Sequence, residues 1–141
     1  MIALPAVLFT PPSQSAPQQP VKENQGAVMI IDDEQMIADL VQDVYTSEGV
    51  TVFSSSGFEN AFPLFKKHYK EIRYVILDVN IPGTSLNDLI SRFVEIDPLV
   101  RIILTSGDHG FESETQIQDH VVKFLQKPFG PQELNDIYKS F

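Results

Sequence analysis

The chain has 141 residues, the length of one domain, and its 43% hydrophobic and 21% charged content supplies a single core with an ordinary polar surface. Ten Lys plus Arg against nineteen Asp plus Glu leave a net charge of −9, which excludes the basic footprint of a duplex nucleic-acid binder and disfavours docking on an anionic membrane. The absence of cysteine excludes a disulfide framework, a thiolate metal site and a cysteine nucleophile.

Residues 1–26 carry only Lys22 and Glu23 as charges, together with five of the ten prolines and a run of Ser and Gln, so they read as an extended linker. The apolar opening Met1 to Phe9 lacks a basic start and is broken by Pro5. It is far shorter than the roughly 20 apolar residues of a spanning helix, so no targeting segment or membrane insertion is expected. The folded unit is expected over 27–141.

From Ala27 onward short apolar runs alternate with amphipathic stretches. Ala27 to Asp32 is a continuous apolar run ending in acid, as in a strand buried on both faces. Gln35 to Glu48 places Ile37, Leu40, Val41, Val44 and Tyr45 on one helical stripe, stopped by Gly49. Val50 to Phe53 predicts a second strand. Glu59 to Tyr69 predicts a second helix, in which Pro63 is tolerable only near the first turn. A third strand follows at Tyr74 to Asp78, a third helix at Ser85 to Ile96 closed by Asp97 and Pro98, and a fourth strand at Val100 to Leu104. Glu112 to Asp119 is a fourth helix with few apolar anchors, Val121 to Leu125 a fifth strand, and Pro131 to Ser140 a fifth helix with proline in its first turn. Five strand–helix pairs in succession predict an α/β doubly wound (βα)5 parallel sheet with helices on both faces.

In such a sheet ligands bind beyond the carboxyl ends of the strands. Here the first strand leads into Asp32, Asp33 and Glu34, the third ends in Asp78, the fourth leads into Thr105 and Ser106, and the fifth runs into Lys127 and Pro128. Clustered carboxylates repel unless a cation sits among them, and a lysine and a divalent metal would both serve. An oxygen-only ligand set without Cys or His suits Mg²⁺, which completes its shell with water and phosphate oxygens. Lys127 offers a point charge and Thr105 a hydroxyl for a tetrahedral anion. Asp78, alone at the end of the central strand, is the natural nucleophile for a phosphoryl group.

These residues resemble the receiver domain of two-component response regulators. The resemblance rests on Ile-Ile-Asp-Asp-Glu at 30–34, Ile-Leu-Asp-Val-Asn-Ile-Pro-Gly at 76–83, Ile-Leu-Thr-Ser-Gly at 103–107 and Phe-Leu-Gln-Lys-Pro-Phe at 124–129. The intervals agree as well, with 45 residues from Asp33 to Asp78, 27 on to Thr105 and 22 on to Lys127. The resemblance covers 27–141 and implies a flavodoxin-like topology and a cytoplasmic signalling domain rather than a turnover enzyme. Asp78 would accept phosphate from a phosphohistidine on a histidine kinase or phosphotransfer protein. Asp32, Asp33, Asp78 and the Asn80 backbone carbonyl would hold Mg²⁺. Thr105 and Lys127 would contact the phosphoryl oxygens, and Lys127-Pro128 would be a cis peptide. As Thr105 moves towards the phosphate, Phe124 would turn inward. The surface of the fourth helix, fifth strand and fifth helix would then change for a downstream protein target.

The chain departs from the family pattern at Leu86, where many members carry glycine, at Ile81 in place of a common methionine, and at Phe124, which lacks the hydroxyl of the usual tyrosine. Read alone, Asp32, Asp33 and Glu34 would merely cap a helix and Thr105 and Ser106 shape a turn. His68, His109 and His120 show no ligand spacing. A nucleotide- or flavin-binding module would want an anion cradle where Asp-Asp-Glu stands. An aspartyl-phosphate phosphohydrolase would want an acid where Asn80 stands. A degenerate receiver serving only as an interaction module is the remaining alternative. Ile2-Ala3-Leu4-Pro5-Ala6 resembles the end of a histidine-kinase ATP-binding domain, so the chain is expected either to stand alone or to be the C-terminal receiver of a hybrid sensor kinase.

Overall fold

A computed structural model of the chain describes residues 26–81, 83, 85–108 and 119–141. The Pro/Gln-rich stretch before Gly26 and the 112–118 part of the expected fourth helix lie outside the described residues. Five strands form one parallel sheet in the order β2-β1-β3-β4-β5: β1 (Ala27–Ile31), β2 (Thr51–Ser55), β3 (Ile72–Asp78), β4 (Ile102–Ser106) and β5 (Val121–Gln126). The described helices are α1 (Gln35–Ser47), α2 (Phe58–His68), α3 (Leu86–Ile96) and α4 (Pro131–Ser140).

Alternation along the buried strands builds two cores. Met29, Ile31, Val75, Leu77, Ile102 and Leu104 face α2 and α3, whose Phe62, Phe65 and Phe93 rings pack at centroid distances of 4.9 and 5.0 Å. Val28, Ile30, Tyr74, Ile76 and Ile103 face α1 and α4 instead. Helices on both faces explain why every residue of β1 and β4 is buried and why β1, and β4 up to Leu104, have no polar side.

Local chemistry sets the element ends. α1 closes as expected at Gly49, whose φ of 82° suits glycine; Gly49 N–H donates to Thr46 O and Val50 N–H to Tyr45 O, satisfying the last carbonyls. Ser85 caps α3 from outside, its hydroxyl accepting from Asp88 N–H at 3.2 Å, so the helix starts one residue later than predicted. β2 and β4 run two residues beyond their predicted ends because backbone pairing with their neighbours continues past the apolar run, as in Ile31 with Ser55 and Ser106 with Gln126. Pro63 is a correction: it lies inside α2, past the first turn. The missing N–H falls on the exposed side, where water can bind the carbonyl left without a helix donor.

A buried hydroxyl relay ties the helices to the sheet. Tyr74 O–H donates to the Tyr45 oxygen and Tyr45 O–H donates to Leu134 O, both at 2.8 Å. Burial pushes Tyr45 up to about 12, and burial with the neighbouring Tyr45 also raises Tyr74. Folded values above the ordinary 10 mean that the stability from this relay is complete below pH 10 and lost as pH rises through them. At pH 7, Tyr45→Phe is expected to cost about 1–3 kcal/mol, because Tyr74 loses its acceptor and α4 its tie, whereas Tyr74→Phe costs about 1 kcal/mol. Urea denaturation of the two variants checks the order.

Candidate functional site

The carboxyl ends of β1, β3, β4 and β5 meet at one rim of the sheet. Asp32 N–H donates to Ser55 O at 3.1 Å, keeping the residue on the end of β1 before the chain turns into α1. Asp78 closes β3 at the centre of the sheet, in register with Thr105, and Val79 N–H donates to Thr105 O at 3.0 Å. Lys127 N–H donates to Ser106 O at 2.8 Å, which brings the residue after β5 against the end of β4. The peptide between Lys127 and Pro128 is cis, as the resemblance implied.

The side chains converge as the sequence suggested. Asp32, Asp33 and Asp78 each present a carboxylate oxygen within 4.8 Å of the other two; Asp32 and Asp78 are buried and Asp33 is exposed. Lys127 Nζ lies 2.6 Å from Glu34 Oε1, 2.9 Å from Asp32 Oδ2 and 3.5 Å from Asp78 Oδ2. The second oxygens of the buried acids accept backbone donors, Asp32 Oδ1 from Glu34 N–H at 2.8 Å and Asp78 Oδ1 from Asn80 N–H at 3.1 Å. Thr105 is fully buried, and its Oγ1 has no hydrogen-bond partner among the described residues. A buried hydroxyl left open costs free energy unless a ligand completes it. Phe124 is half-buried and packs against the core on the α2 and α3 side.

Two titrations follow from this packing. Burial raises the Asp32 carboxyl above the usual carboxylate range, and the nearby Asp78 charge adds to it; Lys127 and Glu34 N–H only partly oppose the rise. Burial works to lower Lys127, but its hydrogen bonds to Glu34 and Asp32 and the charges of Asp32 and Asp78 win, so the ammonium is held above its ordinary value.

The site opens into a cleft of ≈ 590 Å³ lined by Asp33, Glu34, Asp78, Asn80, Gly107 and Lys127. A larger groove of ≈ 1320 Å³ between α2 and α3 is lined by Phe58, Phe62, Tyr69 and Arg92. It reaches the clustered acids only through Asp33 and lacks both Asp78 and Lys127, so the smaller cleft is the candidate site.

Sequence reasoning did not anticipate two contacts. Glu34, read only as one more acid, is the nearest partner of Lys127. Gln126 Nε2 donates to both Ser106 O and Lys127 O at 3.2 Å, bracing the lysine segment on β4. Nothing in the sequence pointed to either, since both depend on where the folded loops bring Lys127 and Gln126.

A family model described as the response regulator receiver domain matches residues 28–139. The chain is 33% identical over 107 residues to the regulatory protein VanR of Enterococcus faecium, an overlap of 76% of this chain and 46% of VanR. It is 27% identical to the sporulation initiation phosphotransferase F of Bacillus subtilis, covering 81% of this chain and 91% of that protein. The chain thus spans about half of one relative and nearly all of the other. A response regulator receiver domain from Clostridium thermocellum superposes with a TM-score of 0.72 at 23% identity, over 82% of this chain and 92% of that one, a likeness of fold.

Proposed function

The chain belongs to the response regulator receiver domain family, and from that premise we propose that Asp78 accepts a phosphoryl group from a phosphohistidine on a histidine kinase or phosphotransfer protein in the cytoplasm. The observation that carries the reading is the meeting, around one acceptor carboxylate, of two further acids, a lysine and an unpartnered buried hydroxyl.

Asp78 supplies the nucleophile. One of its oxygens forms the new P–O bond as the P–N bond of the phosphoimidazole breaks, and the electron pair goes to the imidazole nitrogen, which takes a proton from water. Lys127 places its ammonium where negative charge gathers on the equatorial oxygens, and Thr105 Oγ1 donates to one of them. The donor set fits Mg²⁺: all oxygen, two buried carboxylates and one exposed, with Asp32, Asp33, Asp78 and the Asn80 carbonyl as the holders. When bound, Mg²⁺ would screen the carboxylates from one another and neutralise phosphoryl charge. Asn80 offers no acid to activate water, so the aspartyl phosphate turns over slowly and the domain signals rather than catalyses.

Thr105 drawn towards the phosphoryl group leaves space behind β4. Phe124, paired in register with Leu104 and only half-buried, is placed to move into it. That movement alters the surface of β5 and α4 for a downstream protein.

The test is intact mass after incubation with acetyl phosphate. Gain of one phosphoryl group that requires Mg²⁺ and disappears in Asp78→Asn is the expected result. A folded native chain that stays unmodified by acetyl phosphate and by a phosphohistidine donor overturns the proposal.

A further inference from the structure

Glu34 stands at the N-cap of α1, yet its side chain makes no capping hydrogen bond. An acid at that position ordinarily bonds a free helix N–H. Instead Oε1 crosses to Lys127 Nζ at 2.6 Å, the shortest of the three contacts that the ammonium makes. Asp32 is next at 2.9 Å, and Asp78, the proposed acceptor, is farthest at 3.5 Å. Glu34 is not one of the three acids whose oxygens cluster for a metal. It is 60% exposed and free to leave, whereas the Lys127 side chain is 12% exposed and confined to the rim.

We infer that Glu34 is a latch on Lys127: it draws the ammonium towards the mouth of the cleft and competes for it with the phosphoryl oxygens on Asp78. The inference rests on the phosphoryl-acceptor reading and adds a positioning residue to it. An ammonium has three protons, and in the resting chain the two shortest contacts go to Glu34 and Asp32. A phosphoryl group on Asp78 adds oxygens on the side where the contact is longest. The third proton can meet one of them, but bringing the ammonium inward from 3.5 Å lengthens its contact to Glu34, the exposed anion and the one rehydrated at least cost. Glu34 thus sets how readily Lys127 is available to the incoming group and how firmly it holds the product.

The experiment compares Glu34→Gln, Glu34→Asp and the native chain for uptake from acetyl phosphate. In that reaction an Asp78 oxygen bonds to phosphorus, the P–O bond to acetate breaks and the electron pair leaves on acetate. Beryllofluoride, a tetrahedral mimic of the bound phosphoryl group, gives an equilibrium readout, and Mg²⁺ titration is a control. Glu34→Gln removes the charge, while Glu34→Asp keeps it on a stem one methylene shorter that cannot span the contact. Both variants should take up phosphate about threefold to fivefold faster and bind beryllofluoride tighter by a like factor, the scale of one partly exposed ion pair. Mg²⁺ half-saturation of Glu34→Asp should stay where it is. In a Lys127→Met background Glu34→Gln should change nothing, because the latch has nothing to hold.

Acceleration by Glu34→Gln with Glu34→Asp at the native rate overturns the latch and assigns the effect to general charge. Native rates in both variants, or an undiminished Glu34→Gln effect without Lys127, also overturn it. If these controls fail while the native chain still takes up phosphate on Asp78, the proposed function stands and only the latch falls. A native chain that takes up no phosphate from either class of donor removes both.

Discussion

Lys127→Met is expected to slow phosphoryl uptake at Asp78 by about a hundredfold or more, the usual loss when one charge-stabilising donor is removed from a transition state. The same change should lower stability at pH 7 by about 3 kcal/mol, because it breaks a buried ion pair and leaves the anions behind. Asp32 and Asp78 are 2% and 3% exposed, so neither can recover through hydration what the ammonium supplied. The pH dependence separates charge from packing. Asp32 is already raised above 3.8 by burial, and loss of Lys127 raises it further. A carboxyl raised in the fold contributes stability that is complete below its unfolded value and is lost as pH rises through the folded one. The deficit of Lys127→Met should therefore be large near pH 7.5 and shrink as pH falls towards 4. In the native chain Lys127 itself is raised, so its own contribution holds below 10.5 and fades only above that. Urea denaturation at pH 5 and pH 7.5 without Mg²⁺ measures the difference. A deficit of equal size at both values would assign the loss to the packing of the lysine stem.

Much of this arrangement could be read from residue order because the strands are buried on both faces and end in chemistry. A run such as Val28 to Ile31 has one plausible place in an α/β sheet, and the polar residue that ends it must lie at the rim. Asp32, Asp78, Thr105 and Lys127 were legible for that reason. Strand and helix limits were less so. Ser54 and Ser55 belong to β2 through backbone pairing with β1, which no side chain announces. Pro63 opposed its own helix locally and was overruled by Phe62 and Phe65, whose burial against Phe93 fixes α2 regardless. The Glu34–Lys127 pair escaped because it joins residues 93 apart on a geometry that only the folded loops create.

Asp32→Asn should separate what the fold prefers from what the site requires. The carboxylate is buried, and burial is the leading cause of its raised titration, so its ionised form at neutral pH opposes folding. Asparagine has no charge to desolvate, and its one amide oxygen can accept from Glu34 N–H only by turning its amide nitrogen towards Lys127, which retains Glu34 and Asp78. Without Mg²⁺ the variant should be more stable than the native chain at pH 7, because it has no buried carboxylate to ionise there. The sign follows from linkage: the native chain has the full contribution of neutral Asp32 below 3.8 and loses it as pH rises through the folded value. Substitution removes that slope, so the two stability curves should converge in acid and part on the way to neutrality. With Asp32 as one of the proposed holders of Mg²⁺, the ion should reverse the order. At a concentration about a hundredfold above its dissociation constant, a ligand bound only by the folded state adds about 2.7 kcal/mol, and the native chain should gain this. The variant, with one of the proposed anionic holders gone, should gain little. Thermal melts of both proteins in chelator and in excess Mg²⁺ would show the crossing. If the variant were the less stable protein in chelator, the Asp32–Lys127 attraction would outweigh the cost of burying the charge, and the rim would be an ion pair first and a metal site second.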